Sequence, residues 1–128
     1  MNKVKFKFDY PLKPGSSNIV WTIISTTIGL ETWFADKVTV KDKIWTFQWG
    51  KTEIRHAELL LIRNGSFIRF HWQDDDNQKS YFEMKLLYDE PTEDLMLEIT
   101  DFDDAEEEAD VKDLWDTCID KLKRVSGL

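Results

Sequence analysis

Few residues in this sequence are of the two types, histidine and cysteine, that most often shuttle protons, attack substrates or ligate transition metals near neutral pH. There are two histidines, His56 and His71, and one cysteine, Cys118. The histidines fall in separate alternating segments and form no HxxH or HxxxD pair, whereas a hydrolytic metal site needs about three ligands converging on one point. His71 shares the parity of Arg69 and is expected to point outward with it. Cys118 falls on the apolar stripe of a C-terminal helix, where a free cysteine behaves as a small hydrophobe. It has no basic neighbour in sequence of the kind a nucleophilic cysteine requires. The acidic run Asp74-Asp75-Asp76-Asn77 lacks the glycine and the distal glutamate of an EF-hand loop and reads as a solvated turn. Asp101-Phe102-Asp103-Asp104 leads into a helix and reads as its capping segment. No GxSxG, GxxxxGK[ST] or GxGxxG motif occurs, and five glycines leave little scope for a phosphate-cradling loop. No catalytic residue, metal or cofactor is therefore assigned.

The chain is instead rich in aromatic surface. Residues 29–50, GLETWFADKVTVKDKIWTFQWG, hold three tryptophans and two phenylalanines. Which elements place them follows from the hydrophobic period. Val4, Phe6, Phe8 and Tyr10 alternate with lysines and Asp9, which predicts a strand over 3–10. Pro11, Pro14 and Gly15 break it. Ser16 or Ser17 then caps a helix carrying Ile19, Val20, Trp21, Ile23 and Ile24, a segment whose β-branched content also suits a strand. A second short helix is expected from about Thr27 to Phe34, capped by Thr26 or Thr27, with Leu30, Trp33 and Phe34 on one face. Gly29 sits in its first turn, where flexibility does least harm.

Period two then takes over. Val38 and Val40 lead through Asp42-Lys43 to Trp45, Phe47 and Trp49. A longer strand spans 52–62, and Asn64-Gly65 signals a hairpin into Ile68, Phe70 and Trp72. Phe82, Met84 and Leu86, then Leu95, Leu97 and Ile99, complete about seven strands. Residues 103–126 return to helical period: Val111, Trp115, Cys118, Leu122 and Val125 draw one apolar stripe. Acidic residues crowd its start and Lys121, Lys123 and Arg124 its end, each complementing the helix dipole.

With 128 residues, 41% hydrophobic and 33% charged, the chain is expected to form one domain over 1–128 with its own core. A lone cysteine suits a reducing compartment. The N-terminal MNKVKFKFDY does not read as a signal peptide, and no apolar run reaches the roughly 20 residues a membrane helix needs. A cytoplasmic protein without stable membrane anchoring is expected. The net charge of −8 argues against general nucleic-acid affinity, and Lys3, Lys5 and Lys7 read as solvating charges on an outer face.

The order β-α-α-β6-α implies an α+β fold in which one long amphipathic C-terminal helix covers the apolar face of an antiparallel meander. This arrangement resembles the helix-grip fold of the START-like superfamily, also called SRPBCC, and the resemblance implies a curved antiparallel sheet wrapped around that helix. TTIGLETWFAD, IWTFQWG, IRFHWQ and LWDTCIDKLKRV are similar to elements of the branch related to the activator of the heat-shock ATPase. The resemblance implies a cavity between sheet and last helix, lined by Trp33, Phe34, Trp45, Phe47, Trp49, Phe70, Trp72, Phe82, Met84, Trp115, Cys118 and Leu122. A hydrophobic small molecule or lipid is the expected ligand, bound without catalysis. The alternative is a cochaperone-like interaction module whose acidic helix face, with Glu106, Glu107, Asp110, Asp113 and Asp116, meets a protein partner.

Overall fold

The computed structural model describes residues 3–128. Strand β1 (Val4–Leu12) is followed by helices α1 (Ser17–Ser25) and α2 (Thr27–Trp33). Six strands come next: β2 (Lys37–Lys41), β3 (Ile44–Trp49), β4 (Glu53–Arg63), β5 (Phe67–Trp72), β6 (Phe82–Asp89) and β7 (Asp94–Asp103). A 3-10 turn (Ala105–Glu107) leads into the long helix α3 (Glu108–Ser126). The seven strands form one antiparallel sheet in the order β1-β7-β6-β5-β4-β3-β2. The first strand thus lies beside the last, and the helix pair carries the chain from one edge to the other. This is the α+β helix-grip architecture. Among the described residues no helix is long and apolar enough to cross a membrane.

The period-two pattern sends Phe6 and Phe8 of β1, Trp45 and Phe47 of β3, Ile68 and Phe70 of β5, Phe82 and Met84 of β6, and Leu97 and Ile99 of β7 into one buried layer. Helix α3 covers that layer with Val111, Trp115, Ile119 and Leu122. Burying a large aliphatic or aromatic side chain is worth about 1.5–3 kcal/mol, so this face holds the helix to the sheet. The stripe differs from expectation at one end: Ile119 is buried and Val125 is 51% exposed. Successive helical residues advance about 100°, which centres the buried face between Trp115 and Leu122 and leaves Val125 on its flank. In β4 the register shifts between Leu59 and Leu61; such a bulge bends a strand and here helps the sheet curve.

A second correction concerns the acidic segment before α3. Asp101, Phe102 and Asp103 do not cap a helix; they extend β7 and pair with Phe6, Lys5 and Val4 of β1. The ladder wins because β1 offers partners for every one of these backbone positions. Asp104 alone stands at the start of the 3-10 turn, and its side chain makes no capping bond.

The helix pair is held by caps and by one close approach. Ser16 Oγ accepts from the Ile19 amide at 3.4 Å, and Thr26 Oγ1 accepts from the Gly29 amide at 3.0 Å. Trp33 Nε1 donates to the Ile23 carbonyl at 3.1 Å, satisfying an acceptor near the α1 terminus. Glu31 Oε2 accepts from the Val38 amide at 2.9 Å. Gly29 has a packing role that its place in the first turn does not suggest. A Cβ there would lie 2.4 Å from the Thr22 carbonyl oxygen and 2.7 Å from the Ile23 Cα, both backbone atoms of α1. Backbone cannot rotate aside as a side chain can, so the helices must separate. We expect Gly29→Ala to destabilise the protein by about 1–3 kcal/mol in urea unfolding, despite alanine's better helix propensity; an unchanged midpoint would show that α1 moves freely.

Candidate functional site

Phe34 follows α2 as its C-cap, with its amide donating to the Leu30 carbonyl at 2.8 Å. That position drives its ring into the concave face. It meets Phe47 and Trp49 edge-on at 5.2 and 5.8 Å between centroids. It stacks on Phe82 and Trp115 at 5.9 and 5.7 Å. Each such pair contributes about 0.5–1.5 kcal/mol beyond area burial. Trp49 Nε1 donates to the Phe34 carbonyl at 2.7 Å, fixing the indole against the end of α2.

These rings fill the deep part of the concave face and leave a cavity of about 250 Å³ beside them, under α3. Five of the residues proposed from sequence come together in its lining: Phe34, Trp49, Trp72, Trp115 and Cys118. The other seven do not line it. Trp33, Trp45, Phe47, Phe70, Phe82, Met84 and Leu122 are packed in the surrounding core.

Four lining residues were missed by the sequence reading: Glu53, Arg55, Asp101 and Leu114. Three carried a signal in strand parity. Arg55 and Glu53 keep the inward phase of Ala57 and Leu59 in β4, and Asp101 continues the series Leu95, Leu97, Ile99 by one more step. A charged residue on an apolar phase marks either a strand end or a site. Leu114 lies off the α3 stripe and is 65% exposed at the rim, which helical period alone does not flag.

A larger cleft of about 600 Å³ shares Arg55, Trp72, Asp101 and Leu114 with the cavity and runs out to the 73–80 segment. Both of its cations are held in ion pairs. The Arg55 guanidinium lies 3.9 Å over the Trp72 ring and forks onto Asp74 at 2.8 and 2.9 Å. The hydrogen bonds from Arg55 hold the Asp74 carboxyl below its usual range. Asp75 accepts from Lys3 Nζ at 2.9 Å and from the Asn77 amide at 2.9 Å, and Ser80 Oγ also donates to it. Burial works against its ionisation, but these donors prevail and its pKa is lowered. The Asp74–Asn77 turn is therefore tied into the fold as well as solvated.

Asp101 is the unusual group. Its Oδ2 accepts from Trp115 Nε1 at 2.8 Å and its Oδ1 from the Phe102 amide at 2.8 Å. Burial pushes its pKa up against these two donors. Burial likewise pushes the Cys118 thiol up; Lys121, a basic neighbour three residues on that the sequence reading passed over, opposes this without prevailing, so the cysteine stays a thiol at neutral pH.

The histidines lie on the opposite, convex face. His56 Nδ1 is 2.8 Å from Thr46 Oγ1 and the residue is exposed. His71 shares the outward parity of Arg69 but is buried beneath the 73–80 segment, where Nδ1 donates to the Ser80 carbonyl at 2.8 Å. Among the described residues, no group of three or more His, Cys, Asp or Glu side chains could hold a metal ion.

Sheet, helix and aromatic cavity together define a helix-grip fold with an open site under the last helix. The chain belongs to the START-like superfamily: the model of the START-like superfamily domain matches residues 1–128. It is similar to BfR322 from Bacteroides fragilis, solved by solution NMR, at 54% identity and a TM-score of 0.70, covering 98% of this chain and 92% of that one. DynU16, from the dynemicin biosynthetic locus, shares the fold at 15% identity and a TM-score of 0.78; 94% of this chain covers 46% of that longer one. The Aha1 dimer from Colwellia psychrerythraea shares it at 10% identity and a TM-score of 0.63, over 77% of this chain and 75% of that one. No curated protein matches the chain.

Asp101 makes a stability prediction whose sign is fixed. A carboxyl with a raised pKa in the folded state binds protons more readily there than when unfolded, so its ionisation weakens folding as pH rises through that window. Asparagine has one acceptor oxygen, enough for Trp115 Nε1 or the Phe102 amide but not both, a loss that does not depend on pH. The Tm of Asp101→Asn relative to wild type is therefore expected to be most favourable at pH 7 and to fall as pH drops through the carboxylate range. A difference independent of pH would separate the effect from ionisation.

Proposed function

We propose that residues 1–128 form one START-like domain that binds a small apolar molecule, or part of a lipid, in the cavity beneath α3. The observation carrying this reading is the wall of Phe34, Trp49, Trp72 and Trp115 around open volume next to a packed core. Apolar pockets with a few placed polar groups are the usual form of small-molecule sites, at about 300–1,000 Å³. About 250 Å³ suits a small ligand or one end of a longer one, with the adjoining cleft of about 600 Å³ receiving the remainder. The driving term is removal of apolar surface from water, about 25 cal/mol per Å² before the costs of association.

Leu114 offers a clean test, because it lines both spaces yet is exposed and carries little of the core. Titration with the neutral fluorophore N-phenyl-1-naphthylamine should quench tryptophan emission by energy transfer. Leu114→Asp should weaken binding about tenfold, as expected for placing a charge against an apolar ligand, with Tm nearly unchanged. Wild-type protein that takes up no probe, and whose organic extract holds no stoichiometric apolar molecule, would sink the reading.

A second reading, a surface-acting module that binds a basic protein partner, draws on the start of α3. Asp110 foremost, with partial burial and then Asp103 and Glu106, raises the Glu107 pKa, the mark of concentrated negative charge that a cationic surface would relieve. Asp116 does not contribute to that patch, being bonded to Tyr10 and Lys112. Such a partner should dissociate as salt rises from about 0.05 to 0.5 M; retention at high salt would count against this face.

A further inference from the structure

The cavity also carries a charge pattern that bears on the polar end of its ligand. Both cations lining the cavity and its adjoining cleft are already matched: Arg55 by Asp74 at 2.8 Å and Lys3 by Asp75 at 2.9 Å. Glu53 and Asp101 line the cavity itself, and among the described residues neither has a cationic partner within ion-pair distance. An incoming anion would find no unpaired positive group there and would meet two carboxylates. The walls point the same way. Aromatic faces are electronegative and attract cations held within about 6 Å of the ring, and Trp72 already carries the Arg55 guanidinium on one face at 3.9 Å. Asp101 is half-buried, so its attraction for a positive charge is screened less than that of a fully exposed carboxylate.

We propose that the ligand is a cationic amphiphile. Its apolar chain or ring lies against Trp49, Trp72 and Trp115, and its ammonium group is neutralised by Asp101 and Glu53. This inference rests on the apolar site proposed above and adds the sign of the ligand's charge.

Three probes with one alkyl chain and different heads test it: octyltrimethylammonium, octanol and octanoate. Binding is read from the indole N–H NMR signals of Trp49 and Trp115, at mildly alkaline pH and about 0.15 M salt. Octyltrimethylammonium is expected to bind about tenfold more tightly than octanol, and octanoate more weakly than either. Glu53→Gln, at the exposed rim, and Asp101→Asn should each lower the ratio of octyltrimethylammonium to octanol affinity about threefold, with octanol measured in the same variant as its reference. Equal affinities, a preference for octanoate, or a cation preference that survives both substitutions overturns the charge assignment and leaves the apolar site standing. If none of the three probes shifts these indoles, the apolar site fails and the assignment fails with it.

Discussion

The packing of the Phe34 ring is the contact on which the concave face depends. A curved sheet with one apolar side must be covered, and a single helix laid along it cannot reach every part of the hollow. Phe34 closes the deficit from the end of α2. Its ring touches strands β3 and β6 and helix α3 at once, through Phe47, Trp49, Phe82 and Trp115. Because its backbone carbonyl also holds the Trp49 indole, the same residue sets where filled core ends and open cavity begins. The close approach at Gly29 matters for this reason: it fixes α2 against α1, and α2 aims the ring.

The strand and helix order was legible in the sequence because the period-two and helical signals rarely competed. Trp45, Phe47 and Trp49, or Leu95, Leu97 and Ile99, alternate over long enough runs to define a face. The helix caps were legible to within one residue, as Ser16 or Ser17 and Thr26 or Thr27, since a hydroxyl before an apolar run has few other uses; the structure selects Ser16 and Thr26. What stayed hidden depends on distant partners. The extension of β7 through Asp103 needs β1 alongside it, and nothing local announces that pairing. His71 has the outward parity expected of it, yet its burial comes from a loop that folds back through Ser80.

The cavity was legible as an aromatic wall but not as a shape. Strand parity places seven of the proposed residues on one face of the sheet and helical period sets Trp115 against them; only packing decides that Phe47, Phe70 and Phe82 fill space while Trp49, Trp72 and Trp115 border it. The charged members had a readable trace, because Arg55 and Asp101 interrupt apolar series in β4 and β7. Asp101 is also placed at a cost, since burying a carboxylate with only two hydrogen-bond donors weakens the fold. The protein thus carries a locally unfavourable group in the lining of the aromatic cavity, the usual pattern when a site departs from the best solution for stability.

The hydrogen bond from the Val38 amide to Glu31 bears on how copies of this chain meet one another. Strand β2 is an outer strand of the sheet, and such strands recruit neighbours through unpaired amides. Here a carboxylate from α2 already occupies one of those donors with a charge-assisted bond, and Lys37 and Lys41 flank it. Extending the sheet on that side requires breaking the bond and bringing lysines together. The helix that aims Phe34 inward therefore also guards the sheet's margin, so packing of the core and resistance to strand-on-strand aggregation are supplied by the same short element.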